Sequence, residues 1–89
     1  MKDSDRYIKI VAWSEEDGCY VGRVPGLFFG GCHGDDEKAV YAELCDIVDE
    51  VIETEKADGT PLPPQTSLAD LTEFLAEHNR ANALDAVAA

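Results

Sequence analysis

Positive charge is scarce in this sequence. Lysine and arginine together number 7, against 19 aspartates and glutamates, for a net charge of -12. No cluster of Lys or Arg occurs along the chain. Binding to a phosphate backbone needs such a basic patch, so direct contact with nucleic acid is not expected. The same excess of negative charge attracts a basic protein and speeds encounter with it; its plainer effect is to keep a small chain in solution. An even set of cysteines is lacking too. Cys19, Cys32 and Cys45 are odd in number, which argues against a disulfide framework. Long hydrophobic runs are missing as well. The opening MKDSDRYIKI has no apolar stretch of signal-peptide length, and nothing approaches the roughly 20 apolar residues of a membrane span. The expectation is a soluble, cytoplasmic protein. Its 89 residues suffice for one marginal core, so a partner or self-association is expected to add stability.

What is present reads as strands followed by helices. Met1 to Asp5 is polar and expected to fray. Tyr7 to Trp13, YIKIVAW, is aromatic and β-branched, which suits a strand. Both of its faces are largely apolar, which points to a central rather than an edge strand. Ser14 to Gly18, SEEDG, closes on Asp-Gly and signals a hairpin into a second strand, Cys19 to Val24. Pro25-Gly26 breaks that strand. Leu27 to Cys32, LFFGGC, predicts a third strand, with Gly30 and Gly31 marking a bulge or a close backbone approach. Phe28 and Phe29 suit either the core or an exposed, adhesive edge.

A helix is predicted from Asp36 to about Lys56, with Asp35 as candidate cap. Val40, Tyr41, Leu44, Ile47, Val48, Val51 and Ile52 form one apolar stripe at helical spacing. Asp46, Asp49, Glu50 and Glu53 fall on the other side. Asp58-Gly59 stops the helix, and the prolines of Thr60 to Gln65 predict an extended linker. Ser67, with Asp70 three residues on as a loose capping-box analogue, starts a second helix bearing Leu68, Leu71, Phe74 and Leu75. The Ala-rich end, ANALDAVAA, suits either helix or frayed chain. The fold class is α+β: a three-stranded antiparallel sheet in β-β-β-α order, covered by one long helix, plus a C-terminal helix. Residues 1–65 make the α+β domain and 66–89 its helical extension.

These motifs, in this order, resemble the N-terminal domain of HicB-type antitoxins. Trp13-Ser14-Glu15-Glu16-Asp17-Gly18 is similar to the family's hairpin loop. Tyr20-Val21-Gly22-Arg23-Val24-Pro25 is similar to its second strand and Val-Pro step. Gly34-Asp35-Asp36 looks like the helix start, and Gly59-Thr60-Pro61-Leu62-Pro63-Pro64 looks like the helix exit. The resemblance spans residues 7 to 65. It departs where the family's usual Thr is Asp36, where its Glu-Ala pair is Ala39-Val40, and in the aromatic Leu27 to Gly31. It implies a partial ferredoxin-like or RNase-H-like unit that neutralises a small basic HicA-type RNase by occluding its active surface. The family's DNA-binding extension is not carried over: residues 66 to 89 hold one basic residue, Arg80, against Asp70, Glu73, Glu77 and Asp85.

Cys32 and His33 are neighbours on a predicted strand and point to opposite faces, so a Cys-His nucleophile does not assemble. Cys19, Cys32 and His33 lack the fourth ligand and the Cys-x-x-Cys spacing of a structural zinc site. Glu15, Glu16 and Asp17 read as a solvated hairpin tip before they read as a chelator, Cys45 as helix filling, and His78 as a surface residue. No catalytic, metal or cofactor residues are assigned, and the chain is not read as an enzyme. The partner-binding candidates are Phe28, Phe29, Asp46, Asp49, Glu50 and Glu53. A homodimer or higher homo-oligomer is expected, through the third strand or the helix stripe. The second reading is a stand-alone HicB-like homo-oligomeric interaction module with no toxin partner.

Overall fold

The computed structural model describes residues 1–27 and 30–82. Strands β1 (Ile10–Ser14), β2 (Cys19–Arg23) and β3 (Gly31–Gly34) form an antiparallel sheet in the order β1-β2-β3, followed by helices α1 (Glu37–Ala57) and α2 (Leu68–Ala81). The α+β class and the β-β-β-α order are those the sequence predicts. The edges of the elements differ, and so does the place of β1. Two-sided apolar character predicts a central strand, yet among the described residues β1 lies at an edge of the sheet and β2 is central. The reason is that burial on two faces reports layers above and below a strand, not strands on either side of it.

Register decides which side chains meet. Val11 pairs with Gly22, which pairs with Cys32; Trp13 pairs with Tyr20, which pairs with Gly34. These rows face α1, because a Cβ at Gly22 would sit 3.1 Å from the Cys32 sulfur, 3.2 Å from Val40 and 3.3 Å from Leu44. The absence of a side chain there lets the helix lie close on the sheet. The close backbone approach expected at the paired glycines occurs at Gly31, where a Cβ would run into the Gly22 carbonyl. The ladder to β2 runs from Gly31 to Gly34, so β3 starts later than the apolar run predicts. Before it, the Leu27 amide turns back to the Val24 carbonyl at 3.3 Å.

Asp36, not Asp35, caps α1: it is extended, and its carboxylate accepts the Ala39 N–H at 2.8 Å. The buried face of α1 is the i, i+4 row Val40, Leu44, Val48 and Ile52. Each such aliphatic group contributes roughly 1.5–3 kcal/mol when fully buried. The predicted stripe was broader. Tyr41 is 49% exposed, because it lies about 100° around the helix from Val40 where that row begins. Since the row packs on the sheet, it is not free for self-association.

The N-terminus does not fray as expected. Asp3–Arg6 forms a 3-10 turn in which the Asp5 carboxylate accepts the Lys2 N–H at 2.8 Å, and an Asp3–Lys56 ion pair joins it to the end of α1. Tyr7, 2% exposed, anchors the core and donates its hydroxyl to the Pro63 carbonyl at 2.6 Å. The proline segment is extended as predicted, and it is held down. Thr66 N–H donates to the Arg6 carbonyl at 3.2 Å, Ile8 N–H donates to the Thr66 hydroxyl oxygen at 2.9 Å, and that hydroxyl donates to the Pro25 carbonyl at 3.4 Å. These bonds take the backbone of Arg6 and Ile8, so regular pairing of β1 begins at Ile10.

The second helix opens with a full capping box, Ser67 and Asp70 exchanging hydrogen bonds at 3.0 and 3.1 Å. It then folds back over the other face of the sheet. Phe74, His78 and Asn82 line one small cavity of about 220 Å³ with Ser14, Asp17 and Val21. No residue of α2 is fully buried. Among the described residues, no helix is long and apolar enough to cross a membrane.

Candidate interaction surface

Helix α1 carries seven carboxylates and two lysines. One lysine, Lys56, is engaged with Asp3, and the other, Lys38, lies in the first turn. From Ala39 to Glu55 the helix has no cation. Asp46, Asp49, Glu50 and Glu53 follow the i, i+3, i+4, i+7 spacing, so they share one stripe. It is the stripe opposite Leu44 and Val48, and all four residues are exposed. The structure thus brings together the four acidic candidates. The other two candidates, Phe28 and Phe29, lie outside the described residues, as does the Ala-rich end from residue 83.

The reactive-looking residues are kept apart. Cys32 faces α1, buried, and its thiol donates to the Val40 carbonyl at 3.4 Å. Burial, then the nearby Glu43 carboxylate, pushes the Cys32 thiol up from its ordinary range. A thiol so placed is a poor nucleophile. His33 points to the opposite face, where it pairs in register with Val21, while Cys19 pairs with Ser14. The register therefore divides Cys32 from Cys19 and His33. Among the described residues no group of three His, Cys, Asp or Glu side chains is placed to hold a metal ion. Cys45 is half-buried on α1, one turn along from Tyr41; the neighbouring Cys45 side chain, then burial, pushes the Tyr41 phenol up.

The hairpin tip is tied internally. The Ser14 hydroxyl donates to the Asp17 carboxylate and accepts the Asp17 N–H, both at 3.1 Å, and Glu16 N–H donates to Asn82 Oδ1 at 2.9 Å. His78 is half-buried rather than a plain surface residue; its ring stacks on Phe74 at 5.7 Å between centroids and 15° between planes. A shallow groove of about 550 Å³ lies between α2 and the Pro25–Leu27 turn. Its ionisable lining is Arg23 with Asp70, Glu73 and Glu77, and Asp70 is already engaged as half of the capping box.

The surface that sequence reasoning passed over is β1 and its approach. Trp13 and Ile8 are each 45% exposed, although the apolar run places them in a central strand. The Trp13 ring meets Tyr20 edge to face at 5.2 Å and 76°. The available signal was the lack of any ionisable residue between Lys9 and Glu15. Comparison of the chain with protein-family models, curated proteins and solved structures returned no match.

Proposed function

We propose that this chain is an antitoxin-like, protein-binding domain that neutralises a small basic RNase of HicA type by covering its active surface. The observation that carries the reading is the cation-free acidic stripe Asp46, Asp49, Glu50 and Glu53 on the exposed side of α1. A stripe of one sign on a rigid helix steers an oppositely charged partner and sets its orientation. The β-β-β-α order and the hairpin, Val-Pro, Gly-Asp and Gly-Thr-Pro motifs support the same reading through their resemblance to HicB-type domains. The mechanism is attraction followed by steric cover, with no bond made or broken by this chain.

The test is a pull-down from the host with the whole chain as bait, washed at low and at high salt. The reading expects a small basic protein that is lost as salt rises and whose RNase activity this chain suppresses. Retention of nothing beyond the chain itself overturns it and leaves the second reading, a stand-alone homo-oligomeric module. The open edge of β1 favours that module.

A further inference from the structure

Strand β1 has a free side. It hydrogen-bonds to β2 along one edge, and among the described residues no strand pairs with the other. Alternate N–H and C=O groups of such an edge point outward, ready to accept another strand. Natural sheets blunt exposed edges with charge, proline, bulges or brevity. β3, the opposite edge, is blunted in this way: it has four residues, begins and ends in glycine, and runs straight into Asp35, Asp36 and Glu37. β1 carries no such guard. IVAWS has no proline and no ionisable side chain, and Trp13 and the nearby Ile8 are 45% exposed.

The charges on either side of β1 select the strand that fits it. Arg6 and Lys9 precede it; Glu15, Glu16 and Asp17 follow it. Lys9 lies three residues before Ala12 and Glu15 three residues after it. An antiparallel pairing of two copies about Ala12 therefore sets each Lys9 beside the Glu15 of the other copy. A parallel pairing would set like against like. The Lys9 ammonium now donates to the carbonyls of Ser4 at 2.9 Å and Tyr7 at 3.4 Å, at the start of the strand where the partner's Glu15 would arrive. Between two chains that each carry -12, an uncharged edge with opposite charges at its two ends is a place where close approach is favoured.

We infer that β1 is a self-pairing edge. Two copies join antiparallel about Ala12 to make a continuous six-stranded sheet, with Lys9 of each copy against Glu15 of the other. The pairing buries Trp13 and leaves the acidic stripe of α1 facing outward on both copies. It does not depend on the antitoxin reading.

Three measurements on the full chain test this pairing. Sedimentation velocity over micromolar to millimolar concentrations is expected to show a dimer. Emission of Trp13, the sole tryptophan, is expected to shift to the blue as the dimer forms. Hydrogen exchange is expected to slow at the amides of β1 with rising concentration while those of β3 stay unchanged. Lys9→Glu and Glu15→Lys are each expected to weaken dimerisation about tenfold at low salt, because like charges are then set side by side. The double variant is expected to restore it. A monomer at every concentration overturns the proposal, and so does concentration-dependent protection in β3 instead of β1. Single reversals without effect, or a double variant with no recovery, overturn the antiparallel pairing about Ala12. Should a variant fail to fold, exchange in the unaltered chain still decides.

Discussion

Gly22 and Tyr7 show how closely the fold is set at single positions. Gly22 lies under α1, where a Cβ would come within 3.1 Å of the Cys32 sulfur and 3.3 Å of Leu44. A Gly22→Val substitution adds three carbons to a filled space, and overpacking of this kind costs about 1–3 kcal/mol. Gly18→Ala meets no neighbour, but its φ of +66° is strained for any residue with a Cβ, at a cost of about 1–2 kcal/mol. Urea denaturation checks both. The two are distinguished by suppression: trimming Leu44 relieves Gly22→Val and does nothing for Gly18→Ala. At Tyr7 the expectation concerns pH. Burial pushes its phenol up from the ordinary value of 10.0, with Arg6 acting the other way and Asp3 adding slightly. The protonated form is thus favoured in the folded chain. Its contribution is fully present below about pH 10 and is lost as pH rises through the higher folded value. Cys32 contributes a slope of the same sign from its ordinary 9.0, so the comparison belongs in a Cys32→Ala background. There, Tyr7→Phe is expected to cost about 1 kcal/mol at neutral pH, through the lost bond to Pro63, and to flatten the alkaline decline. Denaturation midpoints from pH 8 to 11 measure both effects.

At the scale of elements, most of the fold was legible where the cause was local. The period of α1, its stop at Asp58-Gly59, the Asp-Gly hairpin and the Ser67/Asp70 box are written in neighbouring residues, and each forms. What escaped was set by distant contacts. β1 begins at Ile10 because Thr66, far along the chain, takes the backbone of Arg6 and Ile8. β3 begins at Gly31 because the apolar run ahead of it includes a turn, and hydropathy does not separate a turn from a strand. The acidic stripe was legible because helical spacing alone puts its four members on one side. The edge at β1 was not, because apolar residues on both faces look the same whether the covering comes from layers or from neighbouring strands. The second helix is the element held least firmly. It buries no residue completely and leaves Leu68 79% and Leu75 51% exposed. Its tie to the hairpin is the Glu16–Asn82 hydrogen bond. It is expected to open locally at a free energy below that of global unfolding. Ser67→Ala removes half of the capping box and costs about 1 kcal/mol of helix stability. Native-state hydrogen exchange should show α2 amides faster than those of α1, and the substitution should speed α2 while leaving α1 and the sheet unchanged.

For the whole molecule, charge pulls folding and the proposed partner binding in opposite directions, and salt separates them. A net charge of -12 on 89 residues repels itself, so raising ionic strength toward a Debye length of about 8 Å screens that repulsion and is expected to raise the unfolding midpoint. Association with a basic partner is weakened by the same screening. Replacing Asp46, Asp49, Glu50 and Glu53 with their amides makes the contrast sharper. These side chains are exposed and outside the core, so the quadruple variant is expected to be as stable as the parent or slightly more so. Its association rate with a basic HicA-type RNase is expected to fall about tenfold or more at low salt, with dissociation changed less, because long-range charge acts mainly on encounter. Self-association through β1 uses different residues and is expected to persist in that variant. Stopped-flow association with the RNase and sedimentation of the variant alone measure the two processes separately. A variant that keeps the parental rate would place the proposed recognition of the RNase away from the outer side of α1. One that loses self-association as well would mean that the acidic stripe, rather than the free edge of β1, holds the copies together.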